Sequence, residues 1–589
     1  MERRVLLAIF LAFLVLYAWQ ALFVKPVPKP GTANGASPQT QASQQSTAPA
    51  NPTATTAGSS APAPSTAASA SESAPQAPAV AAVVGDTAER EFRVETLDVI
   101  AVFTNRGGRL KSWRLKRYHN QGDEPQELVE QTVPALPLPF TLQTGNAALD
   151  TTLNSALYAQ TGTAPQQADS SPADIRFEYQ DAAGLRAVKV FHLNPSSYMM
   201  TARASVTASG RTLSPAIVWG PAVGDVTEVS RYTKKAEGLI FQGGKAVRLA
   251  PKDIAKQSTY DGDFKYAGVD DNYFMTAALY PGPGRVSFQP VAIPPTGDSK
   301  EAPRELVSYT IEPQQRDAEV KFFVGPKDFD VLTAVDPDVA KAIDFGMFTI
   351  IVVPLLRSLK WVNAYVGNYG WSIIILTFLI NVILFPLRHK SVVSMRKMQE
   401  IQPEVKAIQD RYKNLKATDP AKQKMNTELM ALYKERGVNP ASGCVPMLLT
   451  FPFIFAFYAL LSTAIELRGA PWFGWIHDLS SHDPYFVTPI LMGISQVWQQ
   501  RLAPAAGMDP VQQKMTMLMP VFFTFLFLWY PAGVALYWLV NNVWAIGQQY
   551  LTNYLIGPPR VATTAGSGTA GARRMKRVGA GKTEAARDN

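Results

Sequence analysis

The sequence is short of the residues that most enzyme chemistry needs. Among its 589 residues there is one cysteine, Cys444, and there are five histidines. A single thiol excludes an internal disulfide and a cysteine-based metal site, even if part of the chain is exported. Cys444 opens an apolar run and reads as a small buried hydrophobe, with a reactive thiol as the alternative. No zincin pattern and no serine or cysteine nucleophile motif occurs. Gly579-Ala580-Gly581-Lys582-Thr583 matches the end of a phosphate-binding loop, but Lys576 stands where the first glycine belongs and no strand precedes it. His477-Asp478 and His482-Asp483 fall in a short external loop with no helix to set metal ligands on one face. The expectation is a non-enzyme with no cofactor and no metal.

Large apolar residues are nearly missing from Gly31 to about Asp86, a stretch of Ala, Ser, Thr, Pro and Gln. Such a segment cannot bury enough surface to offset its ordering entropy, so it reads as a tether. Charge, in turn, is scarce within the apolar runs of the last third and unevenly placed elsewhere. The net +9 concentrates after Arg388 and in the tail Arg573-Arg574-Met575-Lys576-Arg577. These clusters suit anionic lipid headgroups or RNA, or else form a solvated tail that only fixes topology.

Long apolar runs are what the chain has in plenty. Val5–Val24 follows Arg3 and Arg4 and has no small-residue exit site, which reads as an uncleaved signal anchor. Trp371–Leu387, Val445–Ile465, Tyr485–Trp498, Met515–Tyr530 and Val534–Ile556 complete six expected spans. Basic residues fall densely between Arg388 and Gly443 and again in the tail, whereas the loop 466–484 has only Arg468 among Arg and Lys. The positive-inside rule then puts both termini in the cytoplasm. Two short spans imply local bilayer thinning, and Pro452, Pro489 and Pro520 are expected to bend theirs.

Between the tether and the spans, residues 91–340 alternate in short runs broken by Gly, Pro and Asn. Val99–Phe103, a turn at Asn105–Gly108 and Leu110–Tyr118 read as strand, turn, strand. Ile175–Tyr179, Ala187–Leu193, Tyr198–Val206, Arg285–Pro290, Leu306–Ile311 and Glu319–Val324 are further strands, which argues for a β-sandwich. Ile343–Val366 is apolar but interrupted by Asp344, Arg357 and Lys360, as in an interfacial amphipathic helix. Trp361, Tyr365, Tyr369 and Trp371 follow as an aromatic belt. The domains expected are an anchor (1–25), a linker (26–90), a sandwich (91–340), an interfacial helix (341–370), the second span (371–387), a cytoplasmic helical hairpin (388–443), four further spans (444–556) and a basic tail (557–589).

Two constellations carry chemistry. In the hairpin, Met398, Ile401, Val405, Ile408, Tyr412 and Leu415 recur at 3 and 4 spacing, with a break or restart expected at Pro403. Asp419-Pro420 marks the return helix and Gly437 its end. At span depth, Asn381 and Thr377 share a helix face, joined by Thr450, Gln496, Tyr537, Trp538, Asn541 and Asn542. Each polar residue reads singly as an interhelical hydrogen-bonding group; collected, they would line a wet groove.

Val366-Gly367-Asn368-Tyr369-Gly370-Trp371-Ser372-Ile373-Ile374, Met430-Ala431-Leu432-Tyr433-Lys434, Glu466-Leu467-Arg468, Trp475-Ile476-His477-Asp478-Leu479 and Phe527-Leu528-Trp529-Tyr530-Pro531-Ala532-Gly533 carry a resemblance to the YidC–Oxa–Alb insertase family, in its Gram-negative form. The resemblance spans essentially the whole chain. It implies an α+β multidomain protein of the inner membrane: a polytopic helical core of six spans, including the anchor, plus a periplasmic β-supersandwich. It implies an insertase and chaperone for nascent membrane proteins, working alone or beside the Sec translocon, with contact to SecD and SecF and to membrane lipids. The groove would be the residues above, open to cytoplasm and lipid. Arg388, Lys390, Arg396 and Lys397, with Arg573, Arg574, Lys576 and Arg577, would meet clients or the ribosome. The family pattern Thr-Phe, two apolar residues, then arginine is broken here, because Asn381 follows Thr377-Phe378-Leu379-Ile380. An asparagine keeps the polarity and gives up the charge. A solute transporter is the alternative, weakened by the absence of an inverted repeat. A sensor with an exported ligand domain is a third reading, and it lacks an output domain.

Overall fold

A computed structural model describes residues 82–556, apart from 121, 163–171, 222, 224–234, 295–302, 316–317, 413–419, 439–444 and 503–509. The anchor, most of the tether, the basic tail, Cys444 and Asp419 therefore lie outside the described residues.

Residues 82–326 form two antiparallel sheets. The larger has 14 strands, with Ala82–Val84, Ala173–Asp181, Arg186–Leu193, Met199–Ala208, Glu319–Pro326, Phe274–Ile293, Thr259–Asp270, Glu237–Gln242 and Lys245–Leu249 neighbouring in that order. The smaller is a meander of four, Glu91–Glu95, Val99–Thr104, Arg109–His119 and Pro125–Glu127. Burial along Ala173–Asp181 alternates residue by residue, because successive side chains leave opposite faces of a strand. Phe103 of the small sheet packs on Phe191 of the large one, with ring centroids 5.0 Å apart. The Trp113 indole N–H crosses the same boundary to donate to the Val324 carbonyl at 2.9 Å. Deeper in, Phe140 sets its edge on Trp219, and Trp219 stacks on Tyr309 and Phe322. Fully burying each such ring stabilises by roughly 1.5–3 kcal/mol.

The expected strands lie within observed ones except that Tyr198 falls just before Met199–Ala208, and the longest strands carry no signal of their full extent. Tyr266–Asp270 and Phe274–Leu279 are buried on both faces, so no alternation marks those stretches, whereas Gly284–Gln289 alternates. Pro281 and Pro283 sit inside one 20-residue strand.

C-terminal to the sheets, over residues 329–556, the described residues include nine α-helices. They are α1 (Phe329–Val335), α2 (Thr349–Val366), α3 (Tyr369–Glu400), α4 (Gln402–Arg411), α5 (Ala421–Glu435), α6 (Val445–Thr463), α7 (Val487–Leu502), α8 (Pro510–Phe527) and α9 (Ala532–Ile556). In α2 the buried residues Val352, Leu355, Leu356, Leu359 and Val362 keep a one-face period, while Ile350, Trp361 and Tyr365 are exposed. Among the described residues, the helical segments 346–366 and 369–394 are long and apolar enough to cross a membrane. Residues 451–463 and 517–527 are shorter apolar helices. The amphipathic stretch before the aromatic belt thus also meets the length a span needs.

The hairpin restarts where proline dictates. α3 stops at Glu400 and α4 begins at Gln402, with Pro403 in the first turn, where its missing N–H costs nothing. Ile401, Val405 and Val438 form a small buried cluster against Met398, Leu429, Leu432 and Tyr433. Gly437 ends the return helix at φ 62°, and its N–H donates to the Lys434 carbonyl. Pro452 and Pro520 lie inside their helices as expected. Pro489 does not, and this is a correction: it sits in the first turn of α7, where the helix loses no hydrogen bond.

Candidate functional site

The site is a polar seam where α3 and α9 meet. Thr377, Asn381 and Arg388 are spaced four and seven residues apart, so all three fall on one stripe of α3. Asn381 is almost fully buried. Its Nδ2 donates to the Thr377 carbonyl at 2.8 Å and to Asn541 Oδ1 on α9 at 2.9 Å. Arg388, half-buried two turns further along, donates from Nη1 to Asn381 Oδ1 at 2.6 Å. Both ends of the Asn381 amide are therefore used, one as donor and one as acceptor, and the guanidinium is drawn up against the seam.

This placement sets Arg388 apart from its basic neighbours in the sequence. Its place in the sequence groups it with Lys390, Arg396 and Lys397 as a cytoplasmic contact. Helix periodicity instead turns it onto the Asn381 face, while Lys390 and Lys397 are exposed. Arg396 lies on α3, and nothing further is described of its side chain. Arg573, Arg574, Lys576 and Arg577 lie outside the described residues.

The remaining groove candidates separate into two faces of α9. Asn541 shares a face with Tyr537, to whose carbonyl its Nδ2 donates at 3.2 Å. The Tyr537 ring stacks on Phe457 of α6 at 4.5 Å. Asn542 turns instead to α7, donating to the Met492 carbonyl at 3.1 Å and to Ser495 Oγ at 3.0 Å. Trp538, one turn before Asn542, packs against Phe523 and Phe527 of α8. Adjacent asparagines thus fasten α9 to two different helices, and Trp538 is a packing residue rather than part of the seam. Thr450 lies in α6, with no side-chain placement described. Gln496 Oε1, Thr377 Oγ1, Gln548 Nε2 and Thr552 Oγ1 are buried without a protein partner. Orphaned polar atoms of this kind are costly in a dry interior and favour water or other polar groups.

The sequence holds no hint of the joint between the sheet domain and the helices. Lys360 of α2 lies 3.2 Å from Glu466 and 3.6 Å from Asp328 at the start of α1. Arg468 donates to the His119 carbonyl and to Gln126 Oε1, each at 2.8 Å, and its guanidinium lies 5.1 Å from the Phe274 ring. Asn272 Nδ2 donates to the Ser462 carbonyl at the end of α6. Gly370 lets α3 begin against the loop, because a Cβ there would lie 2.1 Å from the Trp472 ring. Asp478 and Asp483 organise that loop. Asp478 accepts from the Gly469 and Ser480 N–H groups. Asp483 accepts from the Trp475 indole and from the backbone of Tyr485 and Thr488, and these bonds hold its carboxyl below the usual range.

Comparison with known proteins adds a second line. The family model described as 60Kd inner membrane protein matches residues 361–557, and that described as YidC periplasmic domain matches residues 91–358. A Geobacter metallireducens protein named membrane protein insertase YidC is 34% identical, over 94% of this chain and 98% of its own. A protein of the same name from Geobacter sulfurreducens is 37% identical over the same shares of the two chains. A crystal structure of an active YidC insertase with its first transmembrane domain resolved is 18% identical, covers 81% of this chain and 95% of that chain, and has a TM-score of 0.33. The solute-transporter alternative draws no support from these relatives.

Proposed function

We propose that this chain, which belongs to the YidC family of membrane protein insertases, receives its clients at the polar seam between α3 and α9. The observation that carries the reading is the Arg388–Asn381–Asn541 chain of hydrogen bonds at span depth. It answers the departure at position 381. The stripe keeps a cation seven residues from where the family pattern has its arginine, and Asn381 relays that guanidinium to α9. An unsatisfied polar group in hydrocarbon costs several kcal/mol, so a client's polar flank gains by meeting amide, guanidinium and orphaned hydroxyl groups there. The hydrophobic part of the client then leaves sideways into lipid, and no covalent step is needed.

In this reading the described helices and the anchor at 5–24 make six spans, with both termini cytoplasmic and the sheet domain periplasmic. The positive-inside pattern supports that orientation. The protein also assists folding of inserted clients, and it works alone or beside the Sec translocon with SecD and SecF. Lys390, Arg396, Lys397 and the basic tail offer a surface for a ribosome or anionic lipid.

The test is reconstitution. Purified protein in liposomes, with no energy source, should accelerate insertion of a short membrane protein into a protease-protected form. Unchanged insertion, with small solutes moved instead, would overturn the proposal.

A further inference from the structure

On the outward face of the large sheet, strands Ala173–Asp181, Arg186–Leu193 and Met199–Ala208 lie side by side. Their registers arrange the outward side chains as three rows of three. Arg176, Val190 and Arg203 make one row. Glu178, Val188 and Ser205 make the next, and Gln180, Arg186 and Thr207 the third. The long arginines stand at three edges of a floor of short residues, and the result is a hollow of about 300 Å³ lined by Arg176, Arg186, Val188, Val190, Arg203, Ser205 and Thr207. Arg176 is paired with Glu178. Among the described residues, Arg186 and Arg203 have no carboxylate partner, although Glu319 stands opposite Arg203 on the next strand.

We propose that this hollow is a docking site for an acidic, extended polypeptide segment. Three guanidiniums against two carboxylates, Glu178 and, at the rim, Glu319, leave a positive excess that stays exposed, and like charges held together call for an anionic partner. The ligand class follows from the donors. The middle strand is hydrogen-bonded on both sides, so the floor offers side-chain groups and none of the free backbone N–H groups that cradle a phosphate. Guanidinium forks match carboxylates in pairs. Arg176 and Arg203 stand two strands apart, about 10 Å, and Arg186 lies four residues along the middle strand, about 13 Å away. One compact anion does not span that separation. An extended chain repeats its side chains on one face every ~7 Å and does so, while the two valines receive its apolar stems. This site is independent of the membrane seam.

The experiment uses the full-length protein in detergent and measures fluorescence anisotropy of a labelled peptide of alternating Glu and Ser. Wild-type protein should bind it and not a Lys–Ser counterpart, with affinity falling as salt rises. Arg186→Gln and Arg203→Gln should each weaken binding at least fivefold, with the thermal unfolding midpoint unchanged. The charge-reversed Arg186→Glu/Arg203→Glu protein should prefer the Lys–Ser peptide. Wild-type affinity in the Arg186→Gln/Arg203→Gln double variant would overturn the proposal. So would tighter binding of inorganic phosphate or phosphatidylglycerol vesicles that is lost in the same variant.

Discussion

Lys189 and Arg388, two of the basic residues drawn inside the described part of the molecule, are treated in opposite ways. Lys189, in the sheet domain, is fully buried and donates to the Gly107 and Phe140 carbonyls at 2.6 and 2.7 Å. Arg388, in the helical core, is half-buried and leans on one asparagine oxygen. Neither has a carboxylate partner among the described residues. At Lys189 two carbonyls accept from the side-chain nitrogen, and burial pushes its pKa well below the ordinary 10.5. Those two bonds hold strand Arg186–Leu193 to two neighbouring segments. At Arg388 one hydrogen bond to Asn381 Oδ1 is made among the described residues. Lys189 fastens strands, whereas Arg388 is the group the proposed function assigns to clients.

The largest effect should come from breaking the fastener. Lys189→Ala leaves two carbonyls unpaired beside a new cavity and should lower stability of the sheet domain by about 3 kcal/mol in denaturant unfolding. Lys189→Met fills the space but leaves the same two carbonyls unpaired, so it should still cost about 2 kcal/mol. If alanine and methionine were equally harmless, the fastener role would be wrong. The same lysine also sets a pH trend. The unfolded chain keeps its proton up to about 10.5, while the folded chain releases it lower, so between those two values unfolding takes up a proton. Stability of the wild type should therefore rise with pH across that window and level off above it. Lys189→Met should flatten the rise, which paired melting curves would check.

The seam should respond in activity rather than stability. Asn381→Leu should slow insertion of a client with a polar translocated tail about tenfold, equivalent to about 1.4 kcal/mol. A client with an all-apolar span and short tails should be inserted at the wild-type rate. Equal slowing of both clients would mean that the substitution merely loosens helix packing. The smallest effect belongs to the hairpin. Gly437→Ala strains a φ of 62° and should weaken protection of 421–438 in hydrogen exchange by about 1 kcal/mol.

How much of the molecule is readable in the sequence depends on burial. Membrane helices announce themselves because lipid demands continuous apolar runs, and half-buried strands such as Ala173–Asp181 alternate. In strand Phe274–Ile293 the stretch Phe274–Leu279 is hidden because both its faces are covered, whereas Gly284–Gln289 alternates and reads as a strand. Asn381 and Asn541 can be suspected from polarity at span depth, though not that they bond each other. Arg388 is legible only as a basic flank; its seven-residue spacing from Asn381 is the signal that places it on the seam. The joint of Lys360 with Glu466 lies 106 residues apart in the chain, and no local pattern links them.

The central claim is that Arg388 supplies, through Asn381, the charge the seam needs. The direct measurement is the rate of insertion into liposomes of a client with an acidic translocated tail, compared among Arg388→Asn, Asn381→Arg/Arg388→Asn and wild type. The account predicts about a tenfold loss in the single variant and substantial recovery when the cation is restored seven residues away on the same stripe. Wild-type rates in Arg388→Asn, or no recovery in the double variant, would contradict it.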